Sequence, residues 1–309
     1  MTKNEYFITS CNGKTPIHCI EWLPETEAKG IVQIAHGISS HVARFAPLAE
    51  YLCAHGFVVA GHDHLGHGQS VLGAEDKLFF GEDGGWELAI GDMRSLTMLL
   101  REKHPGIPLV LLGHSMGSFL ARTYAIRFND GIDALVLSGT GQQPAALVKA
   151  GVALCDMEIR RHGPRYFSKM INNVVFGAYN RAFAPNRTEF DWLSRDEHNV
   201  DLYIADESCG GMGTVGLYRD MLRGILFISR GENVAGMNKK LPVYFFAGDK
   251  DPVGENGTGV IRSYKSFLDA GMEDVTLKLY AGGRHEMLNE INRPQVYADL
   301  LSWIESKLI

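Results

Sequence analysis

Apolar residues fall in short runs along the first half of this chain, and most runs lead into a segment with helical spacing. Gly30 to His36, Phe57 to Gly61, Leu109 to Leu112 and Ala134 to Ser138 are nearly continuous apolar stretches. They lack the apolar–polar alternation of a strand with one wet face, so they read as strands buried on both faces, as in a parallel sheet. Val42 to His55, Trp86 to Lys103 and Ser118 to Phe128 have the spacing of helices, with Gly56 and Pro105 beyond two of their ends. Ahead of this series, Tyr6 to Ser10 and Ile17 to Trp22 flank Asn12-Gly13. That dipeptide is a strong hairpin-turn signal, so the chain opens with an antiparallel pair. Alternating strands and helices then predict an α/β protein with a mostly parallel central sheet flanked by helices.

The pattern breaks after Gly141. From Gln142 to about Lys240 there is no apolar strand of the earlier kind, only helical patches mixed with Gly, Asn and Arg. Alternation resumes with the strand Val243 to Gly248, the helix Ile261 to Ala270, the strand Val275 to Tyr280 and a terminal helix from Pro294 to Leu308. The reading is a core of residues 1–141 and 241–309, with residues 142–240 inserted after the sixth strand as a helical cap. A cap at that point sits above the C-terminal strand ends, where open α/β sheets bind ligands. An independent second domain is the alternative.

One apolar run ends in Gly113-His114-Ser115-Met116-Gly117, and a helical segment follows at once. Strand, Gly-x-Ser-x-Gly and helix in that order are what the nucleophile elbow of an α/β-hydrolase requires. Glycines at both ends free the turn of side chains, and the helix N-terminus directs N–H groups at a forming oxyanion. A serine hydroxyl is a poor nucleophile and needs a base, which needs an orienting carboxylate. On this fold the order is Ser, acid, His. His162 and His198 fall inside the insertion, so His285, in the glycine-rich loop after Tyr280, is the base. The acid lies in Asp249-Lys250-Asp251-Pro252. Pro252 forces Asp251 into an extended conformation, which favours it as the acid; Asp249 is better placed to cap the turn. The oxyanion donors are the backbone N–H groups of Met116 and Ile38, with Gly37 allowing close approach.

His36-Gly37-Ile38-Ser39-Ser40-His41 with Arg44-Phe45, Asp63-His64-Leu65-Gly66-His67-Gly68-Gln69-Ser70 and the elbow resemble the monoacylglycerol lipase and lysophospholipase branch of the α/β-hydrolases. Gly283-Arg284-His285-Glu286-Met287-Leu288-Asn289-Glu290 resembles bacterial members. The resemblance runs from about Ile31 onwards and implies a helical lid over an acyl pocket and hydrolysis of a carboxylic ester without cofactor. It also makes the His62–His67 run a tight turn in which Asp63 ties down backbone N–H groups. Ser39-Ser40 stand where Gly-Glu is usual, Ser118 where a third glycine is common, and the acid loop differs. Candidate substrate-binding residues are His114 and the cap aromatics Phe176, Tyr179, Phe183 and Trp192.

Composition narrows the picture. A net charge of -6 without a Lys/Arg run argues against nucleic acid as a partner. No apolar run is long enough to span a bilayer and no secretory leader is visible, so a cytoplasmic protein in transient contact with lipid is expected. Five cysteines without a Cys-x-x-Cys pair predict reduced thiols, a Cys11–Cys19 disulfide being the alternative. His62, His64 and His67 could be read as metal ligands, but the tight turn is favoured and no metal is expected. Gly211-Met212-Gly213-Thr214-Val215-Gly216 matches a dinucleotide fingerprint but lies in the insertion, where a mobile cap loop is expected. The sequence thus points to a serine hydrolase of small acyl esters (monoacylglycerols, lysophospholipids or short esters). A proline-type aminopeptidase, with Asp196, Glu197, Asp206 or Glu207 holding the substrate ammonium, and a catalytically idle binding protein are the alternatives.

Overall fold

The structure is a computed structural model that describes residues 1–308. Its centre is one eight-stranded sheet in the order β1-β2-β4-β3-β5-β6-β7-β8. The strands are β1 (Thr2–Thr9), β2 (Pro16–Leu23), β3 (Gly30–Ala35), β4 (Phe57–His62), β5 (Leu109–His114), β6 (Ala134–Ser138), β7 (Val243–Gly248) and β8 (Val275–Tyr280). β2 runs antiparallel to both neighbours, and every pair from β4 to β8 is parallel. The opening hairpin is as expected, with β1 extending back to Thr2.

Among the described residues there are ten α-helices: α1 (Ala46–Ala54), α2 (Gly85–Lys103), α3 (Met116–Arg127), α4 (Ala145–His162), α5 (Lys169–Phe176), α6 (Glu197–Ala205), α7 (Val215–Ile228), α8 (Gly231–Val234), α9 (Thr258–Asp269) and α10 (Arg293–Leu308). The expected helix from Val42 is two pieces, a 3-10 turn over Val42–Phe45 and then α1. Pro47 is the reason: it is accepted in the first turn of a helix but not in its interior.

Successive strand residues face opposite sides, so each central strand feeds two cores. On β5, Leu109 and Leu111 pack towards α2 and α3, while Val110 and Leu112 pack towards α1 and α10. Between β6 and β7 the helices α4 to α8 alternate with loops, forming a cap that α7 seats on α2 and α3. Arg122 on α3 is fully buried and donates to the carbonyls of Gly141 and Ile228. It thereby holds the point where the chain leaves the core and the end of the helix that brings it back.

Register explains where a site can form. Ala35 pairs with Gly113, His114 with Ser138, Ser138 with Phe246, and Gly248 with Tyr280. The C-terminal ends of β3, β5, β6, β7 and β8 therefore share one edge, and every loop nominated from the sequence leaves from it.

Candidate active site

Ser115 sits between β5 and α3 with φ 54° and ψ −123°, a backbone conformation that L-residues rarely adopt. Its surroundings impose this. A Cβ on Gly117 would run into the Ala35 and His36 carbonyl oxygens, and one on Gly113 into the Gly117 carbonyl. The Ser115 N–H donates to the Ser138 carbonyl at 2.9 Å, and the buried Ser118 hydroxyl donates to the Ser115 carbonyl at 2.6 Å. Ser118, a departure from the usual glycine, is thus a brace on the elbow that sequence reasoning passed over.

Asp251 and His285 meet in the interior. Nδ1 of His285 lies 3.0 Å from each Asp251 carboxylate oxygen, and both residues are buried. Oδ1 of Asp251 also accepts the Val253 N–H, which fixes the carboxylate in its loop. Asp249 instead accepts the Gly282 N–H at 2.8 Å, joining the acid loop to the loop of His285. The imidazole of His285 lies between the His114 ring, 4.8 Å away, and the cap's Trp192 ring, 5.1 Å away. Gly139 makes room, since a Cβ there would stand 3.0 Å from Cε1 of His285. Burial first, and then the neighbouring His285, pull the His114 pKa down to about 3, so its ring is neutral at pH 7. Nδ1 of His114 lies 3.2 Å from the Ser138 hydroxyl.

Ser115, His114 and His285 share a cavity of about 520 Å³ with Gly37, Ile38, Ser39 and Ser40. Ligand pockets typically span about 300–1,000 Å³. Gly37 lets the backbone come close: a Cβ there would be 3.1 Å from that of Ser115. Met116 opens α3, so its N–H is among those a helix leaves without an internal carbonyl. Phe176, Phe190, Trp192, Leu193 and Met212 supply apolar wall, and Asn172, Asn173 and Glu189 supply polar wall. Two expected lining residues are not on it. Tyr179 packs behind Phe176 and Trp192, with ring centroids 5.6 and 5.1 Å away. Phe183 lies under the guanidinium of Arg284, 4.2 Å from ring to cation. Helical periodicity marks them as apolar but does not tell cavity wall from cap core.

The histidine-rich turn is a brace for the Ile38 loop. Oδ1 of Asp63 accepts the Val42 N–H, and Oδ2 accepts the Gln69 N–H and faces Nδ1 of His18 at 2.9 Å. Burial alone would raise the Asp63 carboxyl, but these hydrogen bonds, His18 foremost, bring it down to about 2. Nε2 of His36 accepts the His64 N–H, while its Nδ1 lies 2.7 Å from the Gly37 carbonyl. Burial pulls His62 and His67 down to about 4 and His36 and His64 well below their usual value, so all four rings are neutral. Among the described residues, the group whose ligand atoms lie within 4.8 Å of one another is elsewhere: His41, Asp206 and Cys209. There Nε2 of His41 and a carboxylate oxygen of Asp206 are 2.8 Å apart, a hydrogen-bond contact between the core loop and the cap.

One further expectation is corrected, and the reading of reduced thiols agrees with the structure. The glycines of residues 211–216 do not form a loose loop: the Gly210 N–H bonds to the Ser39 carbonyl and Thr214 caps α7 and bonds to Leu78. Gly216 is needed because a Cβ would press on Phe79 and the Pro164 carbonyl. The cysteines are all free, and Cys19 is paired in register with Tyr6, away from Cys11.

An ion pair that sequence reasoning missed completes the site. Arg44 forks onto Glu286 with two bonds of 2.7 and 2.8 Å, directly after His285. Burial alone would raise the Glu286 carboxyl, but Arg44 brings it down to about 2.

A mostly parallel sheet, a serine on the strained turn after its fifth strand and a helical cap after its sixth define a serine hydrolase of the α/β-hydrolase fold. The chain belongs to the Hydrolase_4 family, described as serine aminopeptidase, S33, whose model matches residues 26–292. It is 29% identical over 314 residues to a monoacylglycerol lipase of Mycolicibacterium smegmatis, covering 99% of each chain. It is 25% identical to human monoglyceride lipase, covering 94% of this chain and 87% of that one. A thermostable carboxyl esterase from Bacillus coagulans, solved in complex with glycerol, superposes with a TM-score of 0.93 at 27% identity and full coverage of both chains.

Proposed function

We propose that this chain hydrolyses small carboxylic esters, of the monoacylglycerol, lysophospholipid or short acyl type, through an acyl-Ser115 intermediate. The observation that carries the reading is the buried Asp251–His285 pair beside a serine on a strained elbow, at the wall of one cavity. His285 takes the Ser115 proton as the hydroxyl attacks the ester carbonyl. The N–H groups of Ile38 and Met116 hold the oxyanion, and protonated His285 then gives its proton to the leaving alcohol. Water, activated by the same imidazole, releases the acid. Asp251 holds the Nδ1 proton and stabilises the imidazolium; His114, Phe176 and Trp192 border the substrate. Residues 1–141 and 241–309 form the core and 142–240 the cap.

Further support comes from where the acidic residues sit. An aminopeptidase needs a carboxylate facing its substrate's ammonium, yet Asp196 is bonded to Arg293 and Asp206 to His41. Glu197 and Glu207 are exposed and off the cavity wall. Glu286 reaches the wall already paired with Arg44, whereas Glu189 lines it with no cation bonded to it among the described residues, so the peptidase alternative rests on that residue. No helix among the described residues is long and apolar enough to cross a membrane. We read the protein as cytoplasmic, with free thiols, meeting lipid only transiently.

The test is a substrate series: p-nitrophenyl esters of graded chain length, a monoacylglycerol, a lysophospholipid and a prolyl anilide. Ester turnover that is lost in Ser115→Ala supports the reading. Turnover of the anilide alone replaces it with the peptidase, and no turnover of any replaces it with a binding protein.

A further inference from the structure

We propose that Glu290 is a positioning residue through which the cap sets the place of His285; this rests on the reading of His285 as the base. Glu290 is fully buried. One of its oxygens, Oε1, accepts two backbone N–H groups from different parts of the molecule: Arg284, the residue before His285, at 3.0 Å, and Arg195 of the cap at 3.1 Å. The other, Oε2, accepts Nε of Arg195 and the Ile291 N–H, both at 3.0 Å. A carboxylate has about four acceptor sites, and here all are used.

This atom-wide bridge is the centre of a longer seam. The Glu286 N–H donates to the Leu193 carbonyl at 2.7 Å, and the Ser194 hydroxyl to the Asn289 carbonyl at 3.0 Å. The Arg284 guanidinium reaches the Asp191 and Ser194 carbonyls, and Arg293 pairs with Asp196. Cap residues 191–196 are thus stitched along residues 284–293, and Trp192 from the same segment lies against the His285 ring. The core holds this loop from the opposite side, through Lys250 N–H to the Gly283 carbonyl and Gly282 N–H to Asp249. His285 is therefore set between two clamps, one in the core and one in the cap. Removing the cap clamp leaves buried donors without an acceptor and frees the segment that carries the imidazole.

A misplacement near 1 Å in a catalytic group costs about 100-fold in rate, so Glu290→Ala is expected to lower kcat by about 10- to 100-fold. KM should change by less than about 3-fold, because Glu290 does not itself line the cavity. Glu290→Gln keeps one acceptor oxygen for the two bridged N–H groups and should restore kcat to within about 10-fold of wild type. The experiment measures kcat and KM on p-nitrophenyl butyrate and the rate of fluorophosphonate labelling, below each variant's unfolding temperature. Ser115→Ala and His285→Ala are run alongside. A fall in kcat and labelling rate, with KM held and partial rescue by Gln, supports the proposal. An Ala variant that only unfolds at lower temperature, with kcat intact, overturns it. If Glu290→Ala does not fold, the Ser194→Ala, Arg195→Met double variant weakens the seam from the cap side, and an unchanged kcat again overturns the proposal. Full activity in His285→Ala would remove the site assignment itself, a failure distinct from loss of the seam.

Discussion

The two halves of the site are held in different ways. Ser115 is fixed by its neighbours in sequence and by the sheet: two glycines, the Ser118 hydroxyl and the Ser138 carbonyl suffice. His285 stands on a loop beyond the edge strand β8, and its place depends on partners far along the chain, from Asp249 and Asp251 in the core to Leu193 and Arg195 in the cap. A nucleophile must present one strained geometry, which a rigid strand–helix turn provides. In the proposed mechanism the base must meet the nucleophile, the leaving group and water in turn, and His285, proposed for that role, is held by a contact between two parts of the fold. On the proposed mechanism, cap position and chemistry are thereby linked.

The comparison is most sharply tested at the acid loop. Asp251→Asn is expected to lower kcat by about 10⁴-fold, since the imidazole then loses the carboxylate that orients it. Asp249→Asn keeps an oxygen for the Gly282 N–H and should stay within about 3-fold of wild type. Steady-state rates on one activated ester decide it; equal losses would mean that the acid has been misassigned. Next comes the pair beside the base. Glu286→Gln leaves the largely buried Arg44 cation without its partner and should cost up to about 3–5 kcal/mol in urea unfolding. Adding Arg44→Met should recover part of that loss, and a double variant no better than the sum of its singles would show that the two do not act as a pair.

A more distributed effect is expected with pH. His36, His62, His64 and His67 stay neutral in the fold well below the usual histidine range, so the unfolded chain binds more protons than the native one as pH falls below about 6.5. Stability then rises with pH across that window and is lost on acidification, by on the order of 1 kcal/mol per histidine per pH unit. Asp63 and Glu286, held at about 2, add a second loss as pH falls from about 4.5 towards 2. Unfolding temperatures from pH 8 to pH 4 should decline steadily below about pH 6.5; a flat profile would contradict buried neutral imidazoles.

The strands, the order of the α/β alternation and the elbow were legible because each is written in local pattern: apolar runs, glycine placement and a serine between strand and helix. Asp251 was distinguishable from Asp249 because Pro252 restricts its neighbour. The seam was not legible. Glu290 reads as one more acidic residue near the C-terminal helix, and nothing local ties it to Arg195, 95 residues away. Arg44 and Glu286 pair across 242 residues. Tyr179 and Phe183 show the same limit from the other side, since periodicity marks a residue as apolar without saying whether it faces a cavity or a neighbouring helix.

The central claim is that Ser115 carries the acyl group. Intact-protein mass spectrometry after rapid acid quench of enzyme mixed with p-nitrophenyl butyrate tests it most directly. The account expects a mass gain of one butyryl group on Ser115, accumulating in the wild type and absent in Ser115→Ala. An acyl adduct on another residue, or turnover that persists unchanged in Ser115→Ala, would contradict it.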